Sequence, residues 1–170
     1  MREKIILTPA GPEDAECLHA MSVQAFLPLY ERYHDDGTNP AKEPLSKIEA
    51  QLRDPASDWY IIRADGAAAG GVRVVREHTE EGAEICRISP LFVLPARQRR
   101  GIGSAVMQQL FARYGAGIWR LAAIRQETAT RRFYERCGFR ATGKELPVNE
   151  RMTLMFYEKN GDTHDEQGFA

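Results

Sequence analysis

Pro95-Ala-Arg-Gln-Arg-Arg-Gly-Ile-Gly-Ser104 is the stretch on which the fold of this chain turns. Ahead of it runs Ile88-Ser-Pro-Leu-Phe-Val-Leu94, apolar with β-branched and aromatic members, the pattern of a buried strand. Behind it Ile102, Val106, Leu110 and Tyr114 recur every four residues, flanked by Ala105 and Phe111, which predicts an amphipathic helix of about four turns. The glycine-rich segment therefore joins a strand end to a helix start. Such a start carries backbone N–H groups without intrahelical partners and the positive end of the helix dipole. Gly101 and Gly103 withhold the Cβ atoms that would keep a ligand off that backbone, while Arg97, Arg99 and Arg100 put cations around the same mouth. The combination predicts a site for a phosphorylated ligand.

Elimination narrows the ligand. A P-loop requires Lys-Ser/Thr directly after its second glycine, and this turn has no lysine after its glycines. A dinucleotide fingerprint requires a third small residue, where Val106 stands, and an acidic residue roughly twenty positions on, where Leu121 to Ile124 are uncharged. What remains is Gln98-Arg-Arg-Gly-Ile-Gly103, of the form Gln/Arg-x-x-Gly-x-Gly/Ala. It resembles the pyrophosphate-binding motif of the GNAT superfamily of acyl-coenzyme A-dependent N-acetyltransferases. Phe133-Tyr-Glu-Arg-Cys-Gly-Phe139 is similar to the superfamily's Phe-Tyr-Glu-x-x-Gly-Phe phrase, and Val93-x-Pro95 to its Val-x-Pro at the exit of the central strand. Read from its residues alone, Arg131 to Phe139 is a short helix ended by Gly138 in the left-handed C′ position, with Phe139 folded back onto it. The resemblance covers about Asp58 to Lys159.

The resemblance implies a mixed α/β fold: a mostly antiparallel central sheet, helices on both faces, and a parallel fourth and fifth strand that splay apart. It implies acetyl-CoA as cosubstrate, with no metal. Leu91, Phe92 and Val93 would meet its arm, and Gln98, Arg99, Arg100, Gly101, Ile102, Gly103 and Ser104 its diphosphate. Tyr134 would stand near the sulfur as general acid; the alternative for this side chain is a hydroxyl bonded to a carbonyl. The residues themselves support the splay. Pro90 lacks the amide hydrogen a ladder needs, so a bulge is expected at Pro90–Phe92, leaving backbone groups of Leu91 and Val93 to pair with an amide-bearing arm.

The general base is not given by the resemblance. Many relatives carry a glutamate on the fifth strand, where Ala122 aligns, and an asparagine seven residues before the tyrosine, where Glu127 stands. Glu127 is the first candidate, acting through a water; Glu84, His34 and His78 are others, and each is otherwise a solvated surface residue. Arg73 and Arg87 on central strands are costly to bury alone. They either form salt links to Glu84 or to acids of the first helices, or recognise an acidic group on the acceptor.

The remaining chain is consistent with one domain over residues 1–159. With 170 residues, 43% of them hydrophobic, there is enough chain for a sizeable core. The formal net charge of −1 gives no reason to expect nucleic acid or an anionic membrane as partner. Three cysteines, Cys17, Cys86 and Cys137, show no metal or redox spacing and suggest buried or half-buried thiols in a reducing compartment. No signal peptide or spanning run is evident, so a cytoplasmic location is expected. Helices are expected from Pro12 to Leu29 and Pro44 to Arg53, with a loop or frayed end from Tyr30 to Pro40 between them, and Ala64-Asp-Gly-Ala predicts a hairpin. Residues 160–170 are expected to be a disordered tail. The expected activity is acetyl transfer to a primary amine of a small molecule, the chain acting alone or as a homodimer. A non-catalytic acyl-CoA-binding module and a protein or peptide N-acetyltransferase are the alternatives.

Overall fold

A computed structural model describes residues 2–115 and 117–161. The strands are β1 (Ile5–Pro9), β2 (Ser57–Ala64), β3 (Ala67–His78), β4 (Glu84–Val93), β5 (Ile118–Ile124), β6 (Arg140–Pro147) and β7 (Thr153–Asn160). The helices are α1 (Ala15–Tyr33), α2 (Leu45–Arg53), α3 (Ile102–Tyr114) and α4 (Thr128–Arg136). All seven strands form one sheet in the order β1-β2-β3-β4-β5-β7-β6, antiparallel throughout except for β4 and β5. The mixed sheet with its parallel pair is the fold class the sequence predicts.

Alternation along β2 divides the core. Tyr60 and Ile62 join Val72, Val74 and Ile88 under α3, whose Ile102, Val106 and Leu110 are each 2% exposed or less. Trp59 and Ile61 turn the other way and pack with Leu18, Met21, Ile48 and Phe92 beneath α1 and α2. A strand buried on both faces reads as an unbroken apolar run, and Trp-Tyr-Ile-Ile62 is one. Each such side chain contributes about 1.5–3 kcal/mol of transfer free energy. The β2–β3 turn has both central residues at positive φ, Asp65 at 50° and Gly66 at 87°, the geometry Asp-Gly favours in a two-residue hairpin.

The break in β4 opens the sheet. Val72 faces Leu91 but Val74 faces Ile88, so Ser89 and Pro90 together stand against Arg73. The bulge thus centres on Ser89–Pro90, one residue earlier than expected, because the proline that cannot donate is itself the extruded residue. The parallel pairing with β5 covers only Ile85–Ile118, Cys86–Trp119 and Arg87–Arg120, and the strands part beyond it. Leu94 N–H bonds the Ala69 carbonyl at 2.8 Å. By antiparallel alternation, the backbone groups of Leu91 and Val93 then face away from β3, into the gap.

Three expectations need correction. α1 does not fray at Tyr30 but runs through Pro28 to Tyr33, where His34 takes a left-handed φ of 53° and its N–H closes on the Tyr30 carbonyl at 2.7 Å. Cys17 is exposed rather than buried, because it points off the polar side of α1. Asn160 belongs to β7, opposite Ile118, and the Gly161 N–H bonds the Gly117 carbonyl. The expected disorder of residues 162–170 lies outside the described residues.

Candidate active site

The gap between β4 and β5 is the throat of a cavity of about 800 Å³. Its walls are β4 from Arg87 to Val93, β5 from Arg120 to Ile124, the face of α4, the end of α1 with its following loop, and the β6–β7 pair. Leu91, Phe92, Val93, Gln98, Glu127, Tyr134 and Arg87, all singled out from sequence, border this one space. Arg73 does not. Its Nη1 reaches Ser57 Oγ at 3.3 Å, its Nε is buried without a partner, and burial, then the Arg87 charge, lower its pKa. Arg87 pairs with Glu77 at 3.3 Å, not with Glu84 or the first helices, because Glu77 lies on the adjoining strand. Glu84 and His78 face each other at the far end of β3 and β4, and neither they nor His34 are among the cavity's walls.

Tyr134 is 8% exposed, its ring against Phe133 and edge-on to Phe139. α4 holds it there because Gly138, at φ 102°, turns the chain back and lets Phe139 N–H bond the Tyr134 carbonyl. No described residue hydrogen-bonds the hydroxyl. Burial, and secondarily Cys137, push its pKa well above the ordinary tyrosine value. The phenol therefore keeps its proton at any pH near neutrality, and can donate it.

Glu127 is the residue before α4 and sits across the cavity on the last turn of α1. Its Oε2 accepts both Arg32 Nη1 and the Tyr33 hydroxyl at 2.5 Å. Asn149, in the β6–β7 connection, donates to the carbonyls of Tyr33 at 2.9 Å and His34 at 3.4 Å. These bonds tie α1, α4 and the β6–β7 connection together along one rim.

The turn before α3 alternates hand: Arg99 has φ 65° and Gly101 φ 79°. Successive N–H groups in such a backbone converge on a concavity suited to an anion. The first helical bond is Ala105 N–H to the Gly101 carbonyl, so the preceding amides remain available. A left-handed arginine persists only where its surroundings over-determine it. The two glycines differ in purpose. A Cβ on Gly101 would meet nothing, so that glycine serves the positive φ and the open mouth; a Cβ on Gly103 would lie 3.0 Å from the Phe133 ring, so that glycine admits α4. Two details depart from expectation. Gln98 Nε2 bonds the Val93 carbonyl at 2.9 Å, capping one group expected to meet an arm. Glu3 reaches Arg97 at 3.3 Å and Arg100 at 3.6 Å, drawing two of the three arginines toward β1.

Sequence reasoning missed Asp35, Arg120, Lys144 and Glu158 as cavity residues. Arg120 shares a strand face with Ala122 and stands opposite Glu158, so period-two alternation could have found that pair. No local pattern announces Asp35, which depends on where α1 ends. Among the described residues no cluster of His, Cys, Asp and Glu could hold a metal ion, and no helix is long and apolar enough to cross a membrane.

Residues 55–141 match the family model described as the acetyltransferase (GNAT) domain. Solved structures of similar fold include an acetyltransferase from Thermus thermophilus (TM-score 0.69, 18% identity, 92% of this chain and 97% of that one). A chimeric spermidine N-acetyltransferase from Vibrio cholerae aligns at TM-score 0.72 with 15% identity, over 94% of this chain and 97% of that one. An N-acetyltransferase from Thermoplasma acidophilum, in complex with coenzyme A, aligns at 0.70 with 17% identity, over 92% and 99%. At these identities the likeness shows the fold alone. Among curated proteins none has a matching sequence.

Proposed function

The chain belongs to the GNAT acetyltransferase family, and on that footing we propose that it transfers the acetyl group of acetyl-CoA to a primary amine of a small molecule, both substrates bound together. The observation that carries this is a buried phenol, Tyr134, with no partner for its hydroxyl, opening on the same cavity as the unpaired edge of β4. The amides from Arg99 to Ser104 hold the diphosphate, with Gln98 beside them, and the Leu91 backbone pairs with the arm. Fixing the thioester this way raises the effective concentration of its carbonyl carbon.

The amine nitrogen attacks that carbon, the carbon–sulfur bond breaks, and Tyr134 gives its proton to the departing thiolate. The nitrogen's surplus proton leaves along a chain of waters toward Glu127, and the phenol is reprotonated from that chain. Arg87 lines the same cavity with its charge taken up by Glu77, and Arg73 stays behind it. Residues 1–159 form the working domain.

The bonded rim favours a small acceptor over a peptide. An extended chain would need an open groove between the end of α1 and the β6–β7 connection, and Asn149 bridges it. A cavity of about 800 Å³ also falls within the range of small-molecule sites. Thiol release from acetyl-CoA across a panel of amines and amino-terminal peptides tests the proposal. Tyr134→Phe should lose about 10²–10⁴-fold in kcat while keeping coenzyme affinity, the usual worth of a general acid. Unchanged turnover in that variant rejects the role of the phenol.

A further inference from the structure

The cavity is lined by three carboxylates, Asp35, Glu127 and Glu158, and three cations, Arg87, Arg120 and Lys144. Four of these charges are already matched: Arg87 by Glu77, Arg120 and Glu158 by each other, and Glu127 by Arg32. Asp35 and Lys144 remain, and they are not equivalent. Lys144 is exposed on an edge strand, its ammonium open to solvent and 4.9 Å over the Phe156 ring. Asp35 is 4% exposed, and no described cation lies within ion-pair distance of it. Its carboxylate takes only neutral donors: Thr38 Oγ1 at 2.8 Å on one oxygen and Asn39 Nδ2 at 3.3 Å on the other. Each oxygen has capacity for a further donor. Asp35 borders the cavity, and burial of a charge is costly unless it is paired.

We infer that Asp35 receives a cationic group of the acceptor, so that the site selects amines carrying a second positive charge. This rests on the transferase reading above and names the acceptor class for that site. The cation at Asp35 is not the reacting nitrogen. Asp35 follows two residues after Tyr33, whose hydroxyl holds Glu127 at the start of α4. Tyr134 lies seven residues beyond Glu127, about 10 Å from it along α4 at 1.5 Å per residue. The attacking nitrogen must be uncharged and close to the phenol, whereas the second ammonium sits at the opposite end. Phe26 and Leu29 of α1 and Phe156 of β7 line the same cavity and offer apolar surface for connecting methylenes. Asp35 is thus a specificity-determining residue.

The test is thiol release from acetyl-CoA with putrescine, n-butylamine and γ-aminobutyrate, which share a chain length and differ in the far group. The full chain should show a kcat/KM for putrescine about tenfold or more above that for n-butylamine, the scale of one charge-assisted hydrogen bond. Asp35→Asn should bring that ratio near one, chiefly through the KM for putrescine. A variant that fails to fold is answered in the unaltered protein, where N,N,N′,N′-tetramethylputrescine, whose tertiary ammoniums keep an N–H but cannot be acetylated, should inhibit competitively and N,N-dimethyl-n-butylamine should not. Equal use of n-butylamine, preference for γ-aminobutyrate, or a ratio that survives Asp35→Asn overturns the inference. Monoamine acetylation without diamine preference overturns it while leaving the transferase reading standing. Diammonium binding without any thiol release does the reverse.

Discussion

Replacing Gly70 by alanine should damage the site from a position that touches no substrate. Gly70 lies on β3 opposite Val93, and an added Cβ would stand 2.1 Å from the Phe92 carbonyl oxygen and 3.0 Å from the Val93 Cα. Ordinary contact begins at 3.4 Å, so β4 must retreat by 1.3 Å (3.4 − 2.1). The obstacle is backbone and cannot rotate away. Overpacking a fitted core costs about 1–3 kcal/mol, and a rigid neighbour puts this change near the upper end, about 3 kcal/mol. For a chain of this length that lowers the melting midpoint by about 6–12 °C. The retreat also shifts Leu91 and Val93, the edge proposed to fix the thioester, and a misplacement of about 1 Å can cost 10²-fold in rate. Gly71→Ala is the control: its Cβ would meet the Phe92 ring at 2.9 Å, a side chain that can tip, so about 1 kcal/mol is expected. Calorimetric melts and thiol-release rates below the midpoint measure both effects. Gly70→Ala melting within a degree of the unaltered protein, or losing no more rate than Gly71→Ala, would refute the reasoning.

Glu3→Gln should tighten coenzyme binding by about two- to fivefold at low salt, since it removes an anion from beside Arg97 and Arg100, worth roughly 0.5–1 kcal/mol at a surface. Titration calorimetry at two salt concentrations checks this, and a weaker affinity contradicts it. Stability should decline in alkali. Burial, then Glu84, pushes the Cys86 thiol up to about 11 from 9.0, so the folded state keeps a proton that the unfolded state loses. That contribution is whole below pH 9 and is lost as pH rises through about 11; Tyr114 and Tyr134, both raised from 10.0 chiefly by burial, extend the loss above pH 10. A melting midpoint that stays flat between pH 9 and 11 would contradict this.

The spine of the fold was legible because its signals are local. Gly138 and Phe139 announce the end of α4, Asp65-Gly66 its hairpin, and the stripe from Ile102 to Tyr114 its helix. Pro90 disclosed the break in β4, although its register needed the partner strand. The glycine-rich turn before α3 and the place of Tyr134 on α4 could be read for the same reason: each belongs to a short phrase whose geometry follows from neighbours in sequence. The far wall of the cavity was opaque because long-range placement builds it. Whether Arg73 or Arg87 borders the cavity, which acid holds Arg87, and that Asp35 lies buried at its edge all depend on where α1 ends and how far β4 and β5 part. That Gly103 also makes room for Phe133 was illegible for the same cause, since Phe133 approaches it from a separate helix.

Titration of the protein with acetyl-CoA by calorimetry tests the central claim most directly. A saturable heat with one site per chain, weakened by added salt as a phosphate cradle requires, is the result the account predicts. An absence of heat up to millimolar acetyl-CoA would contradict it.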